Sequence, residues 1–320
     1  MSHDQKYPAP WASFCMSTFN RPAFLEEQVG SLLQQTFTDF EIVIADNDPQ
    51  AGGRAVAESF KDARVKYECN GENIGMLNSF NRSIGRARGE YVVMITDDDP
   101  VENNFLEVFN KLVDDYPGFS FYGGLQREGK DPNEIEIIHA NDFISEFLDT
   151  GKSTNILWSS CLVKRATLLQ IGGLVDYGSP HLVDHAMLST VGSIDGGVFV
   201  NKMYSRIVYH TTNFSKSNFD YYYIAAAGFY RVMDDFIKDR PSYGKNRDVI
   251  TKHLGKWAIN CMFALINYYK SAANYDKAKV DELWKVADKL FRLPFMRRYR
   301  LKYYFKSLAL FVKYRLGIRR

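Results

Sequence analysis

The run Tyr91-Val92-Val93-Met94-Ile95-Thr96-Asp97-Asp98-Asp99-Pro100 closes an apolar segment on three consecutive carboxylates. Adjacent carboxylates repel one another unless a cation or hydrogen-bond donors compensate. A hard, oxygen-seeking ion such as Mg²⁺ or Mn²⁺ suits them, and such ions commonly hold substrate phosphates as well. The competing reading is an acidic loop in front of a helix that begins near Asn103.

Two other polar clusters also follow apolar runs: Ser17-Thr18-Phe19-Asn20-Arg21-Pro22 and Asp46-Asn47-Asp48-Pro49. Taken singly, the first reads as a helix start and the second as an Asx turn. Between them and the triplet lies Asn73-Ile74-Gly75-Met76-Leu77-Asn78, followed by Asn81 and Arg82. Gly75 permits a tight turn, and the amides of a following helix would face an anion. All these clusters at one edge of one sheet would make a shared crevice, because open α/β sheets bind ligands beyond the carboxyl ends of their strands.

The elements that must position these residues show in the periodicity of the first 125 residues. Strands are expected at Trp11–Met16, Phe40–Ala45, Val65–Cys69, Tyr91–Ile95 and Phe119–Tyr122. Helices are expected at about 22–35, 53–60, 76–86 and 103–116. Such alternation predicts a doubly wound parallel sheet. From about Glu134 to Thr212 the pattern is mixed, and after Asn218 it becomes helical and aromatic, broken by Pro241 and Pro294.

Composition excludes several classes. The chain of 320 residues is 46% hydrophobic and 24% charged, an ordinary globular balance. Its four cysteines, Cys15, Cys69, Cys161 and Cys261, are scattered without a CxxC pair, which argues against a disulfide frame or a zinc site. Met1 to Ala9 is polar and does not read as a secretory signal, and no apolar stretch is long enough to span a bilayer. The net charge of +2 hides an asymmetry. Residues 285–320 hold 12 Lys or Arg against one acid, Asp288, while the rest holds 28 against 37. A mildly acidic body thus carries a strongly basic tail.

The order TFNRP, then SLLQQTFTDFEIVIADND, then NIGMLNSFNRSIGRARGEYVVMITDDD resembles a family 2 glycosyltransferase of the GT-A fold. The resemblance covers roughly residues 11–212. It implies an α/β fold with a mixed sheet flanked by helices and a helical C-terminal region. The catalytic domain would occupy 1–215, with a nucleotide half at about 10–125 and an acceptor half at about 126–215; residues 216–320 would be helical. The implied activity is inverting transfer of a sugar from a nucleotide-diphosphate donor, with UDP- or dTDP-sugars favoured, to a hydroxyl of a saccharide or lipid-linked acceptor.

Carried over residue by residue, the resemblance places Thr18, Asn20 and Arg21 in the loop lining the base pocket. It gives Asp46, with Asp48 beside it, the role of accepting from a uracil or thymine imide. Asn73, Gly75, Asn78 and Asp97 approach the donor. Asp98, Asp99 and His210 are the implied ligands of Mn²⁺ or Mg²⁺. The register of the aspartates stays open. Laying the family's LDxDD on Ile95 to Asp99 puts its first aspartate on Thr96 and leaves Asp98 as the ligand; a one-residue slip gives Asp97-x-Asp99. Asp184 matches the second acid of the family's Glu-Asp region, where Val183 replaces the first, and is the implied general base. His185 and Trp158 are implied acceptor contacts. The polar loop Thr211 to Ser217, with Lys216, is a candidate lid.

Residues 295–320 show apolar residues at helical spacing among Lys and Arg, a pattern suited to an anionic membrane surface. No nucleic-acid-binding motif accompanies that charge. The expected location is cytoplasmic, peripheral on the inner face of the membrane, with a role in polysaccharide or lipopolysaccharide assembly by analogy. Two rival functions remain: a non-catalytic scaffold that binds nucleotide sugars, and a nucleotidyltransferase. The second should show a Gly-rich basic loop after the first strand, which Thr18-Phe19-Asn20-Arg21 is not.

Overall fold

A computed structural model describes residues 9–208, 218–271 and 273–315. His210 and the candidate lid at 211–217 lie outside the described residues. Two compact units emerge. The first comprises Met1–Asp176 and Asp184–Thr212; the second comprises Tyr177–Val183 and Asn213–Arg320.

In the first unit, β1 (Ala12–Thr18), β2 (Phe40–Asp46), β3 (Val65–Cys69) and β4 (Tyr91–Thr96) are joined by helices α1 (Pro22–Leu32), α2 (Arg54–Ser59) and α3 (Met76–Arg86). β1 pairs in parallel with both β2 and β4, and β2 with β3. All seven residues of β2 are buried, which is why the strand reads as a continuous apolar run rather than an alternation. Phe14, Met16, Ile42, Ile44, Val93 and Ile95 pack with α1 and with α4 (Phe105–Asp115) on one face. On the other face α3 packs on β1 and β2.

The parallel pairing expected from the first 125 residues holds through β4 and becomes mixed beyond it. The chain continues through β5 (Phe121–Leu125), β6 (Ile135–Ile138), helix α5 (Phe143–Asp149), β7 (Ile156–Lys164), α6 (Arg165–Gln170), α7 (Val183–Asp195) and β8 (Gly197–Val200). The eight-stranded order is β3-β2-β1-β4-β7-β5-β8-β6. β7 enters antiparallel between β4 and β5, so the sheet is mixed, as the GT-A resemblance implies. Strand order is a long-range choice that local periodicity does not encode. At the far side of the sheet an aromatic cluster, Phe121, Phe143, Phe147 and Phe199, joins β5, α5 and β8 through rings that stack or meet edge-on.

The second unit contains α8 (Asp220–Ile237), α9 (Tyr243–Lys270), α10 (Lys277–Phe291) and α11 (Arg297–Arg315). Two of the three breaks fall at Pro241 and Pro294, as the sequence suggests, while the break between α9 and α10 contains no proline. The segment Tyr177–Val183 packs within this unit. His181 stacks on Tyr222 at 4.5 Å and Tyr222 on Trp257 at 5.6 Å. Tyr177 lies against Gly228, where any side chain would collide with its ring. The helical unit therefore grips the residues immediately before Asp184. Among the described residues no helix is long and apolar enough to cross a membrane.

Candidate functional site

The parallel register brings Thr18 level with Asp46, Ser17 with Thr96, and Asp46 with Cys69. The loops after β1, β2, β3 and β4 therefore open at one edge, with β1 between strands that the chain enters in opposite order. That arrangement is a topological switch point.

Arg21 ties two of these loops together. Its Nη1 donates to Asp97 Oδ1 at 2.7 Å and its Nη2 to Asp98 Oδ2 at 2.9 Å. Thr18 Oγ1 donates to the other oxygen of Asp97 at 2.8 Å. Phe24 lies under the guanidinium at 4.1 Å. Burial pushes the Asp97 carboxyl up to about 6; Arg21 and Thr18 oppose that rise and the Asp98 charge adds to it. Gln28, buried on α1, donates to the Asp99 carbonyl at 2.9 Å and so fixes the turn after the triplet. Asn20 sits at φ 51, a left-handed conformation that asparagine tolerates.

Asp46 is almost fully buried. Oδ1 accepts from the Asp48 amide, and Oδ2 accepts from the Gly53 amide and the Tyr67 hydroxyl at 2.7 Å. By this count of bonds, Oδ1 keeps capacity for one further donor. Asp48 accepts from the amides of Gln50 and Gly52, the Asx turn anticipated from its sequence. Burial, followed by the bond to Asp46, pushes the Tyr67 phenol above its ordinary range.

Sequence reasoning missed Asn70. It donates to Asn47 Oδ1 at 2.9 Å and to Ser79 at 3.1 Å, linking the β2 loop to α3. Its own Oδ1 is buried without a hydrogen-bond partner. An orphaned acceptor at this edge is costly unless a ligand or water satisfies it. Its signal was its place, one residue past β3, at the same edge as the other clusters.

Asn73 Oδ1 accepts from the Gly75 amide, and Gly75 opens α3 at φ 82 with open space around it. Asn78 is exposed and donates to the Ile74 carbonyl and to Asp176. Asn81 clasps Leu174 by two bonds of 2.8 Å, one donated and one accepted. A Cβ at Gly173, where φ is +79, would lie 2.5 Å from Asn81 Oδ1. The substitution Gly173→Ala is expected to cost about 1–3 kcal/mol, read as a lower thermal midpoint. Unchanged stability would show that this clasp does not brace α3.

Asp184 stands in the first turn of α7, its side chain 34% exposed, with Oδ1 accepting from the His185 amide. His185 Nε2 lies 3.9 Å from Asp184 Oδ2, and most of that imidazole is covered. Burial, with the Asp184 charge behind it, raises the Cys161 thiol well above its ordinary range. Leu182, two residues earlier, is held at φ 64, a strained backbone for a leucine. Trp158 on β7 is half-buried against Phe80 of α3, ring centroids 5.0 Å apart.

Among the described residues no three His, Cys, Asp or Glu side chains converge on a metal position. The donor set nonetheless suits a divalent ion. Asp98 and Asp99 supply carboxylates beside Asp97, whose own two oxygens are engaged by Thr18 and Arg21, and Mg²⁺-like ions take one or two carboxylates while keeping other positions for water and phosphate.

Residues 13–169 match the model described as Glycosyl transferase family 2. The chain carries a family 2 glycosyltransferase domain. Over 127 residues it is 28% identical to GalNAc(5)-diNAcBac-PP-undecaprenol beta-1,3-glucosyltransferase of Campylobacter jejuni, covering 38% of this chain and 40% of that protein. The chain spans less than half the length of three such curated relatives. The family 2 domain also has the fold of solved structures. S. aureus TarS residues 1–349 in complex with UDP aligns with TM-score 0.58 at 13% identity, over 96% of this chain and 91% of that one. Mannosyltransferase PcManGT from Pyrobaculum calidifontis, in complex with GDP-Man and Mn²⁺, aligns with TM-score 0.53 at 15% identity, over 94% and 88%. These likenesses establish a GT-A-like fold for the chain.

Proposed function

We propose that the protein is an inverting, divalent-metal-assisted glycosyltransferase that moves a sugar from a nucleotide-diphosphate donor to a hydroxyl of a saccharide or lipid-linked acceptor. The observation that carries this reading is the meeting of Thr18, Arg21, Asp97 and Asp98 beside the Asp46 loop at the switch point of a family 2 domain. The relative that acts on an undecaprenol-linked saccharide supports a lipid-linked acceptor and a role in surface-polysaccharide assembly. The same acceptor favours work at the inner face of a membrane.

Each residue has a part. The remaining acceptor capacity of Asp46 Oδ1 suits the imide N–H of uracil or thymine, and the orphaned Asn70 Oδ1 offers a second acceptor nearby in the fold. The Gly75 turn presents the amides at the start of α3 to the diphosphate. Asp98 with Asp97 or Asp99 would hold a divalent ion, which would supply positive charge against the leaving diphosphate. Arg21 keeps Asp97 and Asp98 in place. Trp158 offers a face for the acceptor sugar. The Asp184 carboxylate takes the acceptor hydroxyl proton as the new bond forms at the anomeric carbon and the bond to the diphosphate breaks.

Calorimetric titration with UDP, dTDP and GDP, each in Mn²⁺ and in EDTA, tests the donor side. Binding of UDP or dTDP that weakens in EDTA is the expected result. Absence of nucleotide binding in every condition would move the reading to a scaffold that only keeps the fold.

A further inference from the structure

α11 carries apolar residues on two opposite faces. One face is satisfied inside the helical unit: Tyr303 is 2% exposed and Leu310 8%, with Tyr303 stacked on Phe291 and donating to Asp288. Tyr299 fills the space over Gly255 of α9. The other face is uncovered. Leu301, Tyr304, Phe305, Leu308 and Val312 are 68%, 50%, 70%, 60% and 43% exposed. At about 100° of rotation per residue these five fall within a sector of roughly 100°. Scattered exposed apolar residues need no explanation, but a continuous stripe along one helix does.

Charge indicates what covers it. No acid follows Asp288, whereas residues 292–320 hold ten Lys or Arg. Lys302 and Lys306 are exposed along the flank of the stripe. A second copy of this chain would bring like charges together, whereas an anionic lipid surface neutralises them. Tyr304 and Phe305 suit the boundary between headgroups and acyl chains. No described helix can cross a bilayer, so α11 would lie in the plane of the interface.

We infer that the Leu301/Tyr304/Phe305/Leu308/Val312 face of α11 docks the protein on an anionic lipid surface. This deepens the membrane-acceptor reading but rests on α11 alone. Docking thus orders only side chains on a helix that its opposite face already holds in place, which lowers the entropic cost of binding.

The test is co-sedimentation of the full chain with vesicles of phosphatidylcholine alone and of phosphatidylcholine mixed with phosphatidylglycerol. Wild type is expected to bind the mixed vesicles only. Replacing two exposed residues, Phe305→Ser with Leu308→Ser, is expected to weaken that binding by about tenfold or more, because affinity follows the apolar area inserted. Tyr275→Ser, at an exposed tyrosine off the stripe, should leave binding unchanged, and circular dichroism should show the same helicity in all forms. No binding by wild type, equal binding by the double variant, or a lipid-free dimer dispersed by the double variant without vesicle binding would each overturn the assignment. UDP titration of the same samples separates the two readings. Failure to bind UDP would count against the donor site and leave the docking result standing.

Discussion

Replacing Asp184 with Asn is expected to slow sugar transfer by about 10²–10⁴-fold while leaving donor affinity unchanged. Asn keeps the size of the side chain and can still accept from the His185 amide, but it cannot take up the acceptor proton. The position suits a base. The side chain is one-third exposed, so an acceptor can reach it, yet it is fixed at the start of α7 behind a strained Leu182. The measurement is kcat for transfer alongside calorimetric affinity for the nucleotide. A rate within a few-fold of wild type would remove Asp184 from catalysis. A parallel loss of nucleotide binding would instead make it part of the donor pocket.

The second large effect is expected from Asp98→Ala, which should lower nucleotide affinity in Mn²⁺ on the order of 100-fold and leave the weaker affinity in EDTA nearly unchanged. Asp97 is the more deeply held of the pair, 4% exposed and bonded on both oxygens, whereas Asp98 is 13% exposed. Asp98 is therefore better placed to face a ligand, and Asp97 to orient Arg21. The same experiment decides the register left open by the sequence. If Asp98→Ala binds normally and Asp99→Ala does not, the ligands are Asp97 and Asp99.

Much of the first 125 residues was legible because their signals are local. β3 and α3 have the bounds that periodicity suggests, and the other early elements differ by a few residues at their ends. The shift of the fifth strand from Phe119–Tyr122 to Phe121–Leu125 has a local reason. Gly123 and Gly124 lack the side chains that mark a strand by periodicity, yet they sit within the sheet at positions where any side chain would strike Ile156, Phe121 or Ser160. The residues that could do chemistry were also legible, since carboxylates and Asx residues at the ends of apolar runs are visible one loop at a time. Their partnerships were not. Arg21 is separated from Asp97 and Asp98 by more than 70 residues, and no local pattern links them. Tyr67 and Asn70 were overlooked for the same reason: each is an ordinary polar residue until a neighbouring strand sets it beside Asp46 or Asn47.

The basic tail shows the division most clearly. Its helical spacing and charge were evident in sequence, and from them came the expectation of one apolar face. Only packing revealed two: Tyr303 and Leu310 are used by the helical unit, while the Phe305 side is left bare. The sequence alone determined the early strands and helices, the turns that follow them, the charge distribution and the likeness to family 2 glycosyltransferases, because each is carried by local patterns and short motifs. Tertiary structure decided the insertion of β7, the Arg21 bridge, the grip on Tyr177–Val183 and the uncovered face of α11. Each of these depends on which distant surfaces exclude water together, and that is a property of the packed chain rather than of any segment in it.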